Sequence, residues 1–294
     1  SDDSDDGPSG QNNRLFGREA QVNVSGAYGT LYAGRIASVV SDSGSIGYLG
    51  DVSAFPNGFG IVGTQKGSTG TAYDRYDNTL AYQTPTFGGL QGAIMYSFKG
   101  DTQSNEDSIK NARENSGDAD RYLAAGLRYK AGKAAVVLTG DMTMYSNDVN
   151  NVYHDVDNGY SFILGGNYDF GVAKVFAKAT YFDNQVNVID SFSLIKDARD
   201  LKKAEALKGW GAELGTNVPA FGGNFLAAVG YRDAKDVDDG SYKFKRWNAA
   251  VGYTYAFSKR TNVYGLAGYA QEKANALDRK ASGAQVGFGL VHKF

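Results

Sequence analysis

The chain predicts an all-β fold, a transmembrane up-and-down antiparallel β-barrel, on three observations. Segments of about ten residues alternate between an apolar and a polar face. The connections between them alternate in length, short turns against long polar loops. The closing segment Ala284 to Phe294 (AQVGFGLVHKF) sets Ala284, Val286, Phe288, Leu290, His292 and Phe294 on one face, with Gln285, Gly287, Gly289 and Lys293 opposite beside Val291. Such a strand separates oil from water.

Composition removes the competing classes. Among 294 residues there are 39 glycines, 20 tyrosines, 16 phenylalanines and only 4 prolines. No run approaches the ~18 to 20 apolar residues of a membrane helix. The mean hydropathy of -0.39 does not count against a barrel, because lipid-facing and wet residues alternate and average out. Absence of cysteine removes disulfides, thiolate zinc sites and cysteine nucleophiles together. A net charge of -2 without a basic run excludes nucleic acid as a partner.

In order, alternating segments centre near residues 20 and 32, joined by little more than Gly29. A Ser/Gly-rich connection over 36–73 follows, then segments near 80 and 94 around the turn Pro85 to Gly89 (PTFGG). Loop 100–120 leads to segments near 126 and 140, and loop 146–159 to those near 165 and 177. Loop 183–207 precedes segments near 213 and 229, loop 235–245 those near 251 and 266, and loop 271–280 the last, near 288. The count is thirteen strands in one domain spanning 1–294. Residues 1–16 have loop composition (SDDSDDGPSGQNN).

The faces favour a barrel over a soluble sandwich. Trp247, Ala249, Val251, Tyr253, Tyr255 and Phe257 oppose Arg246, Asn248, Ala250, Gly252 and Thr254, with aromatics at both ends of the apolar side. Phe162, Leu164, Gly166, Tyr168 and Phe170 oppose Asn167 and Asp169. Lys174, Lys178 and Thr180 oppose Val175, Ala177, Ala179 and Tyr181. Charges at strand centres belong in a water-filled lumen. The segment Arg18 to Tyr28 resists: with Arg18 in the lumen, Gln21, Asn23 and Ser25 point outward and Val22 and Val24 inward. Either its register differs or that wall meets protein, as a subunit interface would allow.

Thirteen is odd, whereas single-chain bacterial barrels close with an even number. The expectation is that first strands are absent from the front and that Ala284 to Phe294 lacks its closing partner. The stretch Ser193 to Lys208 reads as a short external helix, with Leu194, Ala198 and Leu201 on one side.

Motifs for chemistry are few. Gly58 to Gly63 (GFGIVG) fits G-x-G-x-x-G but has no apolar strand before it and no helix after it. The two histidines, His154 in a loop and His292 on the apolar face of the last strand, offer no convincing nucleophile partner, so no enzyme is expected. Acidic clusters at Asp2 to Asp6, Asp155 with Asp157, and Asp236 to Asp239 lack the terminal bidentate glutamate of a calcium loop, and no metal or cofactor is expected.

Three segments resemble the general porins of Gram-negative bacteria, most of all the trimeric porins of beta-proteobacteria and Neisseria: Arg75 to Tyr96 (RYDNTLAYQTPTFGGLQGAIMY), Tyr255 to Tyr264 (YAFSKRTNVY) and Gly289 to Phe294 (GLVHKF). The resemblance implies a sixteen-strand barrel lacking its first three strands here, with residues 1–16 a remnant of an external loop. It further implies a bacterial outer-membrane homotrimer among lipid and lipopolysaccharide, with Phe294 as assembly signal. By resemblance, loop 36–73 folds inward to narrow the pore. Arg18, Arg35 and Arg75 then supply the positive side of the constriction and Asp51, with Asp42 further back, the negative side. Asn57 stands where the family usually carries a carboxylate.

Alternation places Arg128, Lys174, Lys178, Arg232 and Arg246 in the lumen against Asp77, Asp141, Asp169 and Glu213. The expected function is passive diffusion of small hydrophilic solutes and ions with weak anion preference, because bases modestly outnumber acids. A plugged or adhesive barrel is the alternative, and it would pass no steady current.

Overall fold

The computed structural model describes residues 17–55, 75–100, 113–148, 155–188 and 192–292. Thirteen strands form one sheet in sequence order, every neighbour antiparallel. They are β1 (Ala20–Gly26), β2 (Gly29–Ala37), β3 (Arg75–Gln83), β4 (Leu90–Ser97), β5 (Arg121–Ala131), β6 (Ala134–Met144) and β7 (Gly159–Asp169). The remainder are β8 (Lys174–Gln185), β9 (Leu207–Ala220), β10 (Gly223–Asp236), β11 (Lys243–Ala256), β12 (Thr261–Ala274) and β13 (Arg279–His292). All thirteen segments expected from alternation are strands. β1 and β13 are the sheet's edges, so β13 pairs with β12 alone among the described residues.

The outer face is apolar. Leu80, Ile94, Leu127, Leu138, Leu164, Leu214, Val251 and Phe288 all point away from the interior, Phe288 at 83% exposure. Aromatic pairs bound this band at both ends. Trp210–Tyr231 (5.5 Å) and Trp247–Tyr269 (5.2 Å) lie toward the long loops, and Tyr168–Phe170 (4.7 Å) and Tyr255–Phe257 (5.3 Å) toward the short turns.

β1 resolves the register conflict. Val22 and Val24 are 72% and 70% exposed on the outer side, while Glu19 and Gln21 reach inward to Ser45. The register therefore differs from the one that puts Arg18 in the lumen, and the polar residues are not outward. Arg18 precedes β1 and is exposed. With that face apolar like its neighbours, it no longer argues for a subunit interface.

Part of the inner wall is covered. Residues 38–55 leave β2 and cross the inner wall, burying Val39, Val40, Ile46, Tyr48, Leu49 and Val52 against Met95, Ala124, Val137 and Ile163. Farther along, Ala54 and Phe55 pack on Phe176, Ala228, Ala250 and Leu266. Ile36 and Ala37 belong to β2, so the inward segment begins later than residue 36.

Glycines make room for this path. A Cβ on Gly126 of β5 would lie 2.7 Å from Val39, on Gly165 of β7 2.7 Å from Val52, on Gly215 of β9 2.7 Å from Ala54, and on Gly252 of β11 3.0 Å from Phe55. All four face inward, on strands running toward the short-turn rim. Side chains there would collide with the loop.

A second segment also turns inward. The helix α1 (Leu194–Asp200) is shorter than the expected 193–208 and not external: Leu194, Ile195 and Ala198 are buried against Phe182, Ala234, Phe244 and Ala274. Alternation puts those four wall residues on the inner face near the long-loop mouth. Leu201, expected to share the buried side, is exposed. Apolar residues on the inner wall of the mouth give the helix a surface to cover.

Candidate pore constriction and inner wall

Asp51 is the acid at which the inward loop meets the wall. It lies on a single helical turn (Leu49–Val52), and that turn presses against β6, β7 and β8. Its Oδ2 is 3.0 Å from Arg128 Nη1 and its Oδ1 2.7 Å from Lys130 Nζ, both on β5. Its carbonyl accepts from Asn167 Nδ2 at 2.5 Å. Arg128 also bonds Gln91 Oε1 and stacks over the Tyr48 ring at 4.4 Å. Burial pushes the Tyr48 phenol up, partly offset by the Gln83 hydrogen bond and the Arg128 charge. Lys130 remains half exposed at 51% and Asp51 at 25%, so this cluster is in contact with water.

The expected constriction pairs Asp51 with Arg18, Arg35 and Arg75 across the lumen; the geometry differs. Arg35 binds Asp77 at 2.8 Å and donates to the Gly17 carbonyl. It stands opposite a bulge, where Asp77 and Asn78 occupy the space of one residue between the pairs Gly34↔Thr79 and Ile36↔Tyr76. Asn78 takes the left-handed conformation there. Arg75 begins β3 opposite Ala37 and forms no ion pair among the described residues. Asp42 is buried within the inward loop at 8% exposure, so it does not line open water. Arg18 lies outside, and Glu19 takes the inner position, accepting from the Ala37 and Ser45 amides.

Lumen-facing charges divide into wet and dry. Arg128 and Lys174 face inward and keep partial exposure, Lys174 over the Phe176 ring at 5.2 Å. Asp169 is exposed near the short-turn rim. By contrast Asp141, Lys178, Glu213, Arg232 and Arg246, expected in the lumen, are buried, as is Asp77 beside Arg35. They point inward as alternation requires, but the folded-in segments cover them.

Each of these five has an opposite charge or hydrogen-bond donors beside it. Lys178 and Glu213 are direct register partners with Nζ 3.5 Å from Oε1, and the loop's Ser53 hydroxyl is 3.2 Å from the ammonium. Arg232 binds Glu272 at 2.9 Å and Arg246 approaches the same carboxylate at 3.5 Å, with Phe192 at 5.5 Å from the Arg246 guanidinium. Tyr122 donates to Asp141 at 2.8 Å, Ser161 donates to its other oxygen, and Ser38 of the loop bonds the Tyr122 hydroxyl.

Sequence reasoning misses Lys130 and Glu272, although Lys130 shares alternation parity with Arg128 and Glu272 is the register partner of Arg246. The choice of Arg18 over Glu19 is one residue off, as a register error must be. Phe294, His154, Gly58 to Gly63 and Asp2 to Asp6 lie outside the described residues.

An antiparallel sheet with an apolar outer face, a charged inner wall and a segment folded against that wall defines a membrane β-barrel channel. The Gram-negative porin family matches residues 1–275. An outer membrane porin of Bordetella pertussis is 32% identical over 99% of this chain and 75% of its own length. Outer membrane porin protein 32 of Delftia acidovorans is 26% identical over 92% of this chain and 69% of its own. The solved anion-selective porin from Comamonas acidovorans superposes with a TM-score of 0.61 at 23% identity, covering 95% of this chain and 78% of that one. This chain belongs to the Gram-negative porin family. It is a channel protein of the bacterial outer membrane, of a passive class rather than an enzyme.

Proposed function

We propose that the channel passes small hydrophilic solutes and ions with a weak preference for anions, and that residues 38–55 form its constriction. One observation carries the reading. Where the inward loop meets the wall, Arg128 and Lys130 face a single carboxylate, Asp51, and all three touch water. An excess positive charge at the narrow point lowers the energy of a passing anion and raises that of a cation. The buried triad Arg232, Arg246 and Glu272 has the same sign of imbalance. Arg35 and Asp77 neutralise one another, and Arg75 and Lys174 add to the positive side. The Comamonas acidovorans porin of similar fold is described as anion-selective, which supports this reading.

The working assembly is a homotrimer in outer-membrane lipid and lipopolysaccharide, and one barrel domain serves each pore. A trimer form is described for a Vibrio cholerae outer membrane protein of similar fold, with a TM-score of 0.58 at 16% identity. The reversal potential of the reconstituted channel across a potassium chloride gradient tests the selectivity. A potential of the sign set by chloride is expected, and strong cation preference refutes the reading.

A further inference from the structure

Strand β5 brings a glycine, an arginine and a lysine to the inner face in succession: Gly126, Arg128 and Lys130. Tyr48 of the inward loop lies against the first of them, where a Cβ would fall 3.1 Å from its ring. The ring is fully buried and Gln83 Nε2 donates to its hydroxyl at 3.3 Å, so it is a fixed floor. Over this floor lies the Arg128 guanidinium, its Cζ 4.4 Å from the ring centroid. One side of the cation is therefore taken by an aromatic.

Its terminal edge is taken as well. Nη1 donates to Asp51 Oδ2 at 3.0 Å and Nη2 to Oε1 of Gln91, the residue directly opposite on β4. Asp51 follows Tyr48 by three residues on the turn that Tyr48 opens, so one short piece of loop supplies both the floor and an edge partner. The fork that could grip a carboxylate through two parallel hydrogen bonds is thus committed to two separate acceptors. Arg128 still keeps 23% of its side chain in water. What stays open is the side turned away from Tyr48.

A guanidinium is weakly hydrated for a cation and stacks on flat π-systems. With the fork engaged, a spherical anion gains from the open side through charge alone, whereas a flat ring covers it without needing an N–H. Lys130 stands two residues along, about 7 Å away on the same face, its ammonium on a flexible stem at 51% exposure. Its contact with Asp51 Oδ1, 2.7 Å, is a solvated ion pair of the weak kind, and a second carboxylate can share the ammonium.

We propose that this corner is a binding site for aromatic carboxylates, with the arene stacked on the open side of Arg128 and the carboxylate on the Lys130 ammonium. Tyr48, Arg128 and the solute's ring then form three layers. The assignment rests on the channel reading above, which gives solutes access to the corner, and it adds a solute class: flat, π-bearing anions are held in preference to saturated anions of equal charge and similar size.

The test is block of the potassium chloride current through the reconstituted channel by benzoate and by cyclohexanecarboxylate at pH 7, where both acids are ionised. Benzoate is expected to block with an affinity about twofold to fivefold higher, the range of an exposed cation–π contact. Equal affinity for the two acids in wild type overturns the proposal without reference to any variant. In R128K, which keeps the charge but presents no flat cation, the benzoate advantage is expected to disappear. The two acids are compared on the same channel, so any change in the chloride current itself cancels. An advantage that survives R128K overturns the proposal, because the ring is then held elsewhere. Saturation-transfer NMR of benzoate with detergent-solubilised protein reads binding without a current and should show the same loss in R128K. The chloride reversal potential keeps the two readings apart. Anion preference with equal block by the two acids refutes this site alone, whereas strong cation preference with the benzoate advantage intact refutes the ion selectivity and upholds the site.

Discussion

Replacing Asp51 by asparagine removes one negative charge from the loop–wall contact while keeping the side chain's size. Its partners are Arg128 at 3.0 Å and Lys130 at 2.7 Å, both partly solvated. Ion pairs of such exposure contribute about 0.2 to 1 kcal/mol each, so D51N should fold with the loop in place. The carbonyl contact from Asn167 and the Tyr48 stacking under Arg128 are untouched by the change. An ion passing at about 6 Å through water feels one unit charge as roughly 0.7 kcal/mol, and 0.1 M salt roughly halves it. The sign is opposite for the two ions. The anion-to-cation permeability ratio should therefore rise about threefold to tenfold, read as a reversal potential across a salt gradient. An unchanged ratio, or a shift toward cations, would refute the view that this cluster sets selectivity.

Two other changes probe the dry interior. Gly165→Leu puts a side chain where Cβ already falls 2.7 Å from Val52, so the loop must lift off the wall toward the channel axis. Lower single-channel conductance and a loss of about 1 to 3 kcal/mol in denaturant unfolding are expected, and unchanged conductance would show that the loop does not narrow the pore. Lys178→Met leaves the Glu213 carboxylate without its register partner under the loop. It should cost about 3 to 5 kcal/mol in the same unfolding measurement, and K178M/E213L should recover most of that.

Faces were legible in the sequence because strand alternation has period two and lipid and water are opposite solvents. Phe162 and Lys178 reveal their sides in a few neighbouring residues. Coverage from inside was not legible. Whether Lys178 is wet depends on Ser53, 125 residues away, and no local pattern encodes that contact. Asp51, expected at the constriction by resemblance, does meet the wall, but its partners are Arg128 and Lys130 of β5 and not Arg18, Arg35 or Arg75, because a family layout carries no register. The bulge at Asp77 and Asn78 shows the same limit: one extra residue redirects Arg35 to a neighbour. Helix α1 betrayed its spacing through Leu194 and Ala198, yet its inward docking depends on Phe244 and Ala274, which as single residues read as ordinary strand members.

The row of inward glycines has a consequence for the order in which the molecule is made. Val39, Val52, Ala54 and Phe55 rest on Gly126, Gly165, Gly215 and Gly252, four strands reached successively along the chain. A segment that emerges early must wait for β11 before its last contact exists. Asn167 and Lys178 reach it across 116 and 125 residues, separations at which loop closure is slow and its entropy is paid before any contact rewards it. The inward segment is therefore seated last: the wall can pair strand by strand, but residues 38–55 reach their final place only when most of the sheet has formed.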